Sequence, residues 1–286
     1  MTVSGVHPAI RPSTASMLAD CELTPAQFDR IVSMLHTHAG IRMRTGKEGL
    51  VRARLVKRLR ALGLTDFGAY LSVLDRDASR VEFAEMVDAL TTNKTNFLRE
   101  PSHFDFIREQ LLPSTAGSLR IWSAGCSTGE EPYTLAMLFN DAIASTGKRD
   151  VRILATDISQ RVLTLAKAGQ YAPEMLAGIP QEWIERYWLR RSGAHGSMHF
   201  EATPELRRLV HFARLNLMEH WPMQGPFDAI MCRNVMIYFD KDTQQQLIER
   251  FWALLRPGGH LFVGHSESLT GLTHRFRYLR PAVYVK

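Results

Sequence analysis

Long apolar runs are missing from this chain. None reaches the roughly 20 residues that a membrane-spanning helix needs, so no such span is expected. The first twenty residues, Met1 to Asp20, lack a basic patch followed by a hydrophobic stretch. They read as a flexible lead and not as a secretory signal. Cysteine is scarce: Cys21, Cys126 and Cys232 stand far apart, and three is an odd number. That excludes a disulfide framework and points to a reducing compartment, the cytoplasm. Metal-ligand spacings are absent as well. His195 and His199 are four apart but fall in a Gly/Ser-containing stretch unsuited to a helix, so no metal is expected. The dinucleotide fingerprint G-x-G-x-x-G does not occur. What remains is an ordinary globular composition, 45% hydrophobic over 286 residues, enough for one large domain or two smaller ones.

The chain changes character near residue 90. From Thr24 to Leu90 the apolar residues recur at helical spacing with almost no strand signal. Helices are expected from Pro25, over Lys47–Leu62 with Gly63 as its stop, from Thr65, and over about Arg80–Leu90. Short joins between four helices make a small bundle. After the polar run Thr91-Thr-Asn-Lys-Thr-Asn96, a helix is expected over Ser102–Leu111, and then strands alternate with helices. The predicted strands are Leu119–Ala124, Val151–Thr156, Val210–Ala213, Phe227–Cys232 and His260–Gly264. The predicted helices are Glu131–Ala144, Gln160–Ala168 and Thr243–Leu255, and two short closing strands follow Phe276. Such alternation implies a parallel, doubly wound α/β sheet. Residues from about 170 to 208 are too many for a strand–helix joint and read as a helix plus a small β insertion. The expected division is a lead over 1–20, an α-helical domain over 21–90 and a catalytic domain over 91–286.

The run Arg120-Ile-Trp-Ser-Ala-Gly-Cys-Ser-Thr-Gly-Glu-Glu-Pro-Tyr133 reads as a buried strand, a glycine turn and a helix start. It places backbone at the carboxyl edge of the sheet, where open α/β folds bind ligands. Acids at the helix start suit its dipole but would repel a pyrophosphate. A ligand with hydroxyls or positive charge fits better, and S-adenosylmethionine carries both. Three more polar groups follow strands at the same edge: Asp157, which can accept a ribose diol, Asn216, which can read adenine or ribose, and the Arg233–Asn234 pair followed by Tyr238. Each has a plainer role as cap, turn or core residue.

Between Ile41 and Arg60 stand eight lysines or arginines and one acid, Glu48. On a helix, Val51, Leu55, Leu59 and Leu62 share one arc, and Arg54, Lys57, Arg58 and Arg60 lie opposite. A solvated face would mix signs, so this one, with Arg52, is expected to meet an acidic partner. Stacking aromatics are missing from it, which favours protein over nucleic acid.

The runs Thr91-Thr-Asn-Lys-Thr-Asn-Phe-Leu-Arg-Glu100, Ser123-Ala-Gly-Cys-Ser-Thr-Gly-Glu-Glu131, Cys232-Arg-Asn-Val-Met-Ile-Tyr-Phe239 and Gly264-His-Ser-Glu267 resemble the chemotaxis receptor protein-glutamate methyltransferases, the CheR family. The likeness covers nearly the whole chain. It implies a class I, Rossmann-like methyltransferase fold behind an all-α domain. It also implies methyl transfer from S-adenosylmethionine to glutamates on the cytoplasmic domains of methyl-accepting chemotaxis proteins, leaving S-adenosylhomocysteine. The implied cofactor contacts are Asn93, Thr95, Arg99, Glu131, Asp157, Asn216, Leu217, Arg233 and Asn234, with Arg99 and Tyr238 nearest the methyl group. The basic helix becomes the receptor-docking helix. The insertion becomes the small β-subdomain that grips a receptor peptide in some members, with Gly193-Ala-His-Gly196 compressed here. A cytoplasmic monomer recruited to receptor arrays follows. Three rivals stand beside this reading: an RNA methyltransferase on the same sheet, a cofactor-binding scaffold without turnover, and a NAD-dependent enzyme. The last is opposed by the absent third glycine.

Overall fold

The computed structural model describes residues 21–114, 117–146, 150–193 and 196–286. The lead Met1–Asp20 and the loop residues Ala194 and His195 therefore lie outside the described residues. The chain forms two compact units, and the division is not a single cut. One unit holds Met43–Thr91 with the chain up to Thr37, and the other holds Thr92–Lys286 together with the short stretch His38–Arg42. No helix among the described residues is long and apolar enough to cross a membrane.

Among the described residues four helices build the first unit: α1 (Pro25–Ala39, whose last two residues belong with the second unit), α2 (Glu48–Ala61), α3 (Phe67–Arg76) and α4 (Val81–Leu90). Their ends follow from local chemistry. The Asp66 carboxylate accepts from the Ala69 N–H at 2.8 Å and caps α3. Gly63, at φ +68°, takes the left-handed step that ends α2. The apolar arc of α2 is buried at Val51, Leu55, Val56 and Leu59, but Leu62, at the cap, is exposed.

The charged side of α2 differs from the expectation of an outward-facing cationic surface. Arg58 forks onto Glu82, Nε to Oε1 at 3.0 Å and one terminal nitrogen to Oε2 at 2.6 Å, and its other nitrogen reaches Glu85 at 2.9 Å. Glu82 is buried and also accepts the Tyr70 hydroxyl at 2.9 Å. Arg54 donates to the Leu90 and Thr91 carbonyls, and Arg52 to the Cys21 carbonyl. Three of the five expected docking cations thus hold the bundle together, and of the five only Lys57 and Arg60 are classed as exposed. Removing one partner from a buried pair leaves a charge uncompensated. Arg58→Ala is therefore expected to lower stability by about 3 kcal/mol, read as a fall in the urea midpoint. An unchanged midpoint would show that the pair is solvent-screened.

The second unit is a seven-stranded sheet in the order β6-β2-β1-β7-β8-β10-β9. The strands are β1 (Ser118–Ala124), β2 (Asp150–Asp157), β6 (Val210–Arg214), β7 (Phe227–Cys232), β8 (Leu255–Val263), β9 (Arg277–Arg280) and β10 (Val283–Val285). The first five run parallel, whereas β10 pairs antiparallel with β8 and β9 with β10, so the sheet is mixed and not parallel throughout. Order reverses at β1, which has β2 on one side and β7 on the other. This is the switch point where open α/β sheets leave a crevice. Helices α6 (Glu130–Thr146), α7 (Gln160–Ala168) and α10 (Lys241–Leu254) connect the strands. Alternate residues of β1 face opposite layers. Leu119 and Ile121 pack with Tyr133, Met137 and Phe139, and Trp122 packs with Trp221 and Phe251. The helix expected over Ser102–Leu111 is α5 (Ser102–Phe106) running into a π turn (Ile107–Leu111). Strand β8 begins five residues earlier than expected, at Leu255, with a register shift opposite β7 between Phe227 and Ala229.

Between α7 and β6 the chain makes an excursion: β3 (Gln170–Tyr171), α8 (Gln181–Tyr187), β4 (Trp188–Ser192), β5 (Met198–Ala202) and α9 (Pro204–Arg207). The three strands form a separate antiparallel sheet, β3-β5-β4. One acid anchors its helix: Asp141 accepts from Trp183 Nε1 at 2.7 Å and from Arg186 at 2.9 Å.

Candidate functional site

Every residue expected to meet a cofactor or the methyl group lies in the second unit. The sheet order explains why. The carboxyl ends of β1, β2, β6 and β7 deliver Gly125, Asp157, Asn216 and Arg233 to one edge. At the turn after β1 only glycine fits. Gly125 has φ +90°, and a Cβ there would stand 2.4 Å from Val235 Cγ2.

Bonds gather most of these residues into two groups. In the first, Ser127 joins Asp157 to the segment before α5: its N–H donates to Asp157 Oδ2 at 2.8 Å, and its hydroxyl to the Asn93 carbonyl at 2.9 Å. The other Asp157 oxygen accepts the Ser159 N–H at 3.0 Å. A carboxylate oxygen can accept more than once, so these bonds orient Asp157 without exhausting it. Asn93 and Thr95 are half-buried and alternate with exposed Thr92, Lys94 and Asn96, so one side of this extended segment faces the unit.

The second group centres on Arg233, whose side chain is 2% exposed. One terminal nitrogen donates to Glu131 Oε2 at 2.8 Å. The other reaches Glu100 Oε2 at 3.0 Å and also the Arg99 carbonyl, and Nε reaches Glu100 at 3.2 Å. Arg233 was expected to touch the cofactor directly. Here its donors are directed into the protein, and it acts by holding Glu131 and the Arg99 backbone. The second Glu131 oxygen accepts the Ser123 hydroxyl at 2.7 Å. Arg99 itself is half-buried and spends one donor on the Lys94 carbonyl at 2.8 Å. It sits between two left-handed residues, Leu98 at φ +54° and Glu100 at φ +57°. Such conformations cost about 1–3 kcal/mol each and persist where surroundings enforce them.

Asn216 and Tyr238 join neither group and meet instead through the stretch His38–Arg42. The Asn216 side-chain amide donates to the His38 carbonyl at 2.7 Å and to Glu219 at 3.2 Å, and its oxygen accepts the Met218 N–H at 3.0 Å. The amide expected to read adenine or ribose thus already has partners within the unit on both its donor and its acceptor side. The Leu217 carbonyl in turn accepts from Arg250 at 2.6 Å. Tyr238 lies in a single 3-10 turn (Met236–Tyr238), and its carbonyl accepts the Arg42 N–H at 2.8 Å. Gly40 closes the stretch against the unit, since a Cβ there would meet Met218 Sδ at 2.7 Å.

Two acids were missed as site residues, although the motif runs contain both. Glu267 is buried and accepts the N–H groups of Gly264, Asn234 and Ile237 at 2.5, 2.8 and 3.0 Å. It thereby shapes the turn that carries Asn234 and Tyr238. Burial raises its pKa against the pull of those donors. Glu100 is the other, held between Arg233 and the His265 N–H. Glu130, by contrast, is a core residue: it is 1% exposed, takes the Thr128 hydroxyl, and has its pKa raised by burial.

Glu100, His103 and His265 place ligand-type atoms within 4.8 Å of one another. A dication there would share Glu100 with the Arg233 guanidinium, so the local charge opposes it. Burial first, and the charge of Arg233 second, lower the His103 pKa to about 3, with Glu100 pulling the other way and His265 and Arg280 reinforcing. A histidine kept neutral when folded contributes its full stabilisation above the unfolded pKa of about 6.5 and loses it as pH falls toward 3. One such group gives a slope of about 1.4 kcal/mol per pH unit. Between pH 7 and pH 5 the chain is expected to lose about 2 kcal/mol that His103→Leu does not lose, measured from urea midpoints. Parallel losses in both would remove His103 as the cause.

The sites fit a cationic methyl donor. Two acids, Glu131 and Asp157, stand at this edge, and the G-x-G-x-x-G turn of pyrophosphate sites does not occur in the sequence. Comparison with known proteins decides the matter. The family described as CheR methyltransferase, SAM binding domain, matches residues 93–285, and the CheR methyltransferase, all-alpha domain, matches residues 26–91. The chain belongs to the CheR methyltransferase family. A chemotaxis protein methyltransferase of Escherichia coli is 42% identical over 263 residues, covering 92% of this chain and 91% of that protein. Chemotaxis protein methyltransferase 2 of Pseudomonas aeruginosa is 41% identical over 282 residues, covering 97% and 99%. The CheR fold thus comprises an all-α unit, a mixed seven-stranded sheet and a small antiparallel sheet, and its donor is S-adenosylmethionine.

Proposed function

We propose that this chain esterifies glutamate side chains on the cytoplasmic domains of methyl-accepting chemotaxis proteins. The observation that carries this reading is Arg99, a half-buried residue set between two left-handed neighbours and anchored through its own carbonyl by Arg233. S-adenosylmethionine supplies an electrophilic methyl group on a sulfonium. A glutamate is already ionised at pH 7, since its ordinary pKa is about 4.3, so no general base is required. What the protein must supply is alignment, with water excluded, and this can contribute roughly 7–11 kcal/mol. Arg99 orients the incoming carboxylate, and Tyr238 stands beside the sulfonium. The donor is held by Asn93, Thr95, Glu131, Asp157, Asn234 and the backbone at Asn216 and Leu217, with Arg233 fixing the acids. No metal or nucleic acid is assigned. Exposed Lys57 and Arg60 present the charge that meets an acidic receptor surface. The chain acts as a cytoplasmic monomer recruited to receptor arrays.

The test is direct. Purified chain, labelled donor and membranes bearing chemoreceptors are incubated, and alkali-released methanol is counted. Label in nucleic acid, or none in receptor, overturns the reading.

A further inference from the structure

One side chain at this edge gathers three partners, yet no cofactor or substrate need touch it. Glu100 is 12% exposed at its side chain. Its Oε2 accepts two Arg233 donors, at 3.0 and 3.2 Å. Oε1 accepts the His265 N–H at 3.0 Å and lies 3.5 Å from Asn234 Nδ2. These partners come from the ends of β7 and β8, so one carboxylate pins two strand ends to the segment before α5. Its own backbone is left-handed, at φ +57°, and the carbonyl just before it, that of Arg99, accepts from the same Arg233. Backbone and side chain of adjacent residues are thus both gripped by one guanidinium. A planar guanidinium offers a rigid fork, and two grips from it fix orientation as well as distance.

We propose that Glu100 is a positioning residue for methyl transfer, setting the direction of the Arg99 side chain through Arg233 and the strained turn. The inference rests on the assignment of Arg99 as the group that orients the substrate carboxylate. The chemistry requires a carboxylate here. An amide would present one oxygen and one NH2 group, and whichever way it turned the NH2 would meet a donor, from Arg233 on one side or from the His265 N–H and the Asn234 amide on the other. The turn would then lose one half of its clamp while keeping nearly the same volume. Glu100 makes no demand on the donor itself, so its loss falls on the rate and not on donor affinity.

The experiment uses the full chain. Wild type must first label receptor; if it does not, the methyltransferase reading fails, and Glu100 is not at issue. With active wild type, Glu100→Gln is expected to lower kcat on the order of tenfold to a hundredfold, as misalignment does. The KM for donor and the calorimetric affinity for S-adenosylhomocysteine should stay within about threefold, in keeping with a change confined to transition-state alignment. A double-mutant cycle separates positioning from plain stability. In an Arg99→Ala background the same Glu100→Gln change should alter kcat less than about twofold. An equal loss in both backgrounds, or a loss in donor affinity matching the loss in kcat, overturns the proposal. Should Glu100→Gln fold poorly, His265→Pro, which removes the N–H donor to Glu100 together with the imidazole that meets Ser102 and His103, is read against His265→Ala, which removes the imidazole alone, in the same cycle with the same two outcomes.

Discussion

Arg99→Ala is expected to cut receptor methylation by about two to three orders of magnitude while donor affinity changes less than about tenfold. The structure gives the reason for the split. The Arg99 guanidinium is tied to the unit by one bond, to the Lys94 carbonyl, and its loss leaves the Arg233 clamp on the Arg99 backbone intact. The acids proposed to hold the donor, Glu131 and Asp157, keep their bonds to Ser123, Arg233, Ser127 and Ser159. An Arg–carboxylate pair that bound the ground state as tightly as the transition state would add nothing to kcat, so Arg99 must orient and not clamp. Single-turnover methylation and calorimetry with S-adenosylhomocysteine measure the two quantities separately. Equal losses in both would make Arg99 chiefly a cofactor ligand.

Arg233→Ala should be the most damaging substitution to the fold of the second unit. It strands two carboxylates that are 12% and 13% exposed, Glu100 and Glu131, facing one another without the charge between them. Breaking one buried pair costs about 3–5 kcal/mol, and here two are broken by one change. The Arg99 carbonyl loses its donor in the same step, and Phe104 loses the guanidinium that lies 5.4 Å from its ring centroid. We expect a loss of about 5 kcal/mol in urea unfolding, with no methylation even in the folded fraction. Partial relief at low pH, where the two acids can protonate, would confirm stranded charge as the cause. A fall of less than about 1 kcal/mol would mean that solvent reaches the trio.

Much of this was legible in the residue order. The turn at Gly125 announces itself because only glycine tolerates both the left-handed backbone and the lack of room for a Cβ beside Val235. Strand β7 and helix α7 stand where periodicity put them, since each is a continuous apolar or amphipathic run with clear caps. The acid partners of Arg233 and Arg58 were not legible, for one shared reason. A cation read from a helix face or strand end looks the same whether it meets water or a buried acid, and the deciding acids, Glu100 and Glu82, lie 133 and 24 residues away. Glu100 itself was visible in a motif run but carried no sign of being the hub. The antiparallel β10 escaped because short apolar strands do not encode direction, and the committed Asn216 amide because its acceptor comes from residue 38.

That last bond has a practical bearing on how the gene is cut. A fragment starting at Thr92 looks like a self-sufficient enzyme, yet it would omit a stitch of chain, His38–Arg42, threaded through the larger body. The Asn216 amide would be left short of an acceptor and the Tyr238 carbonyl of a donor. Dissection at Thr92 would therefore leave a catalytic body with an open seam, and adding those five residues back as a free peptide is the way to close it.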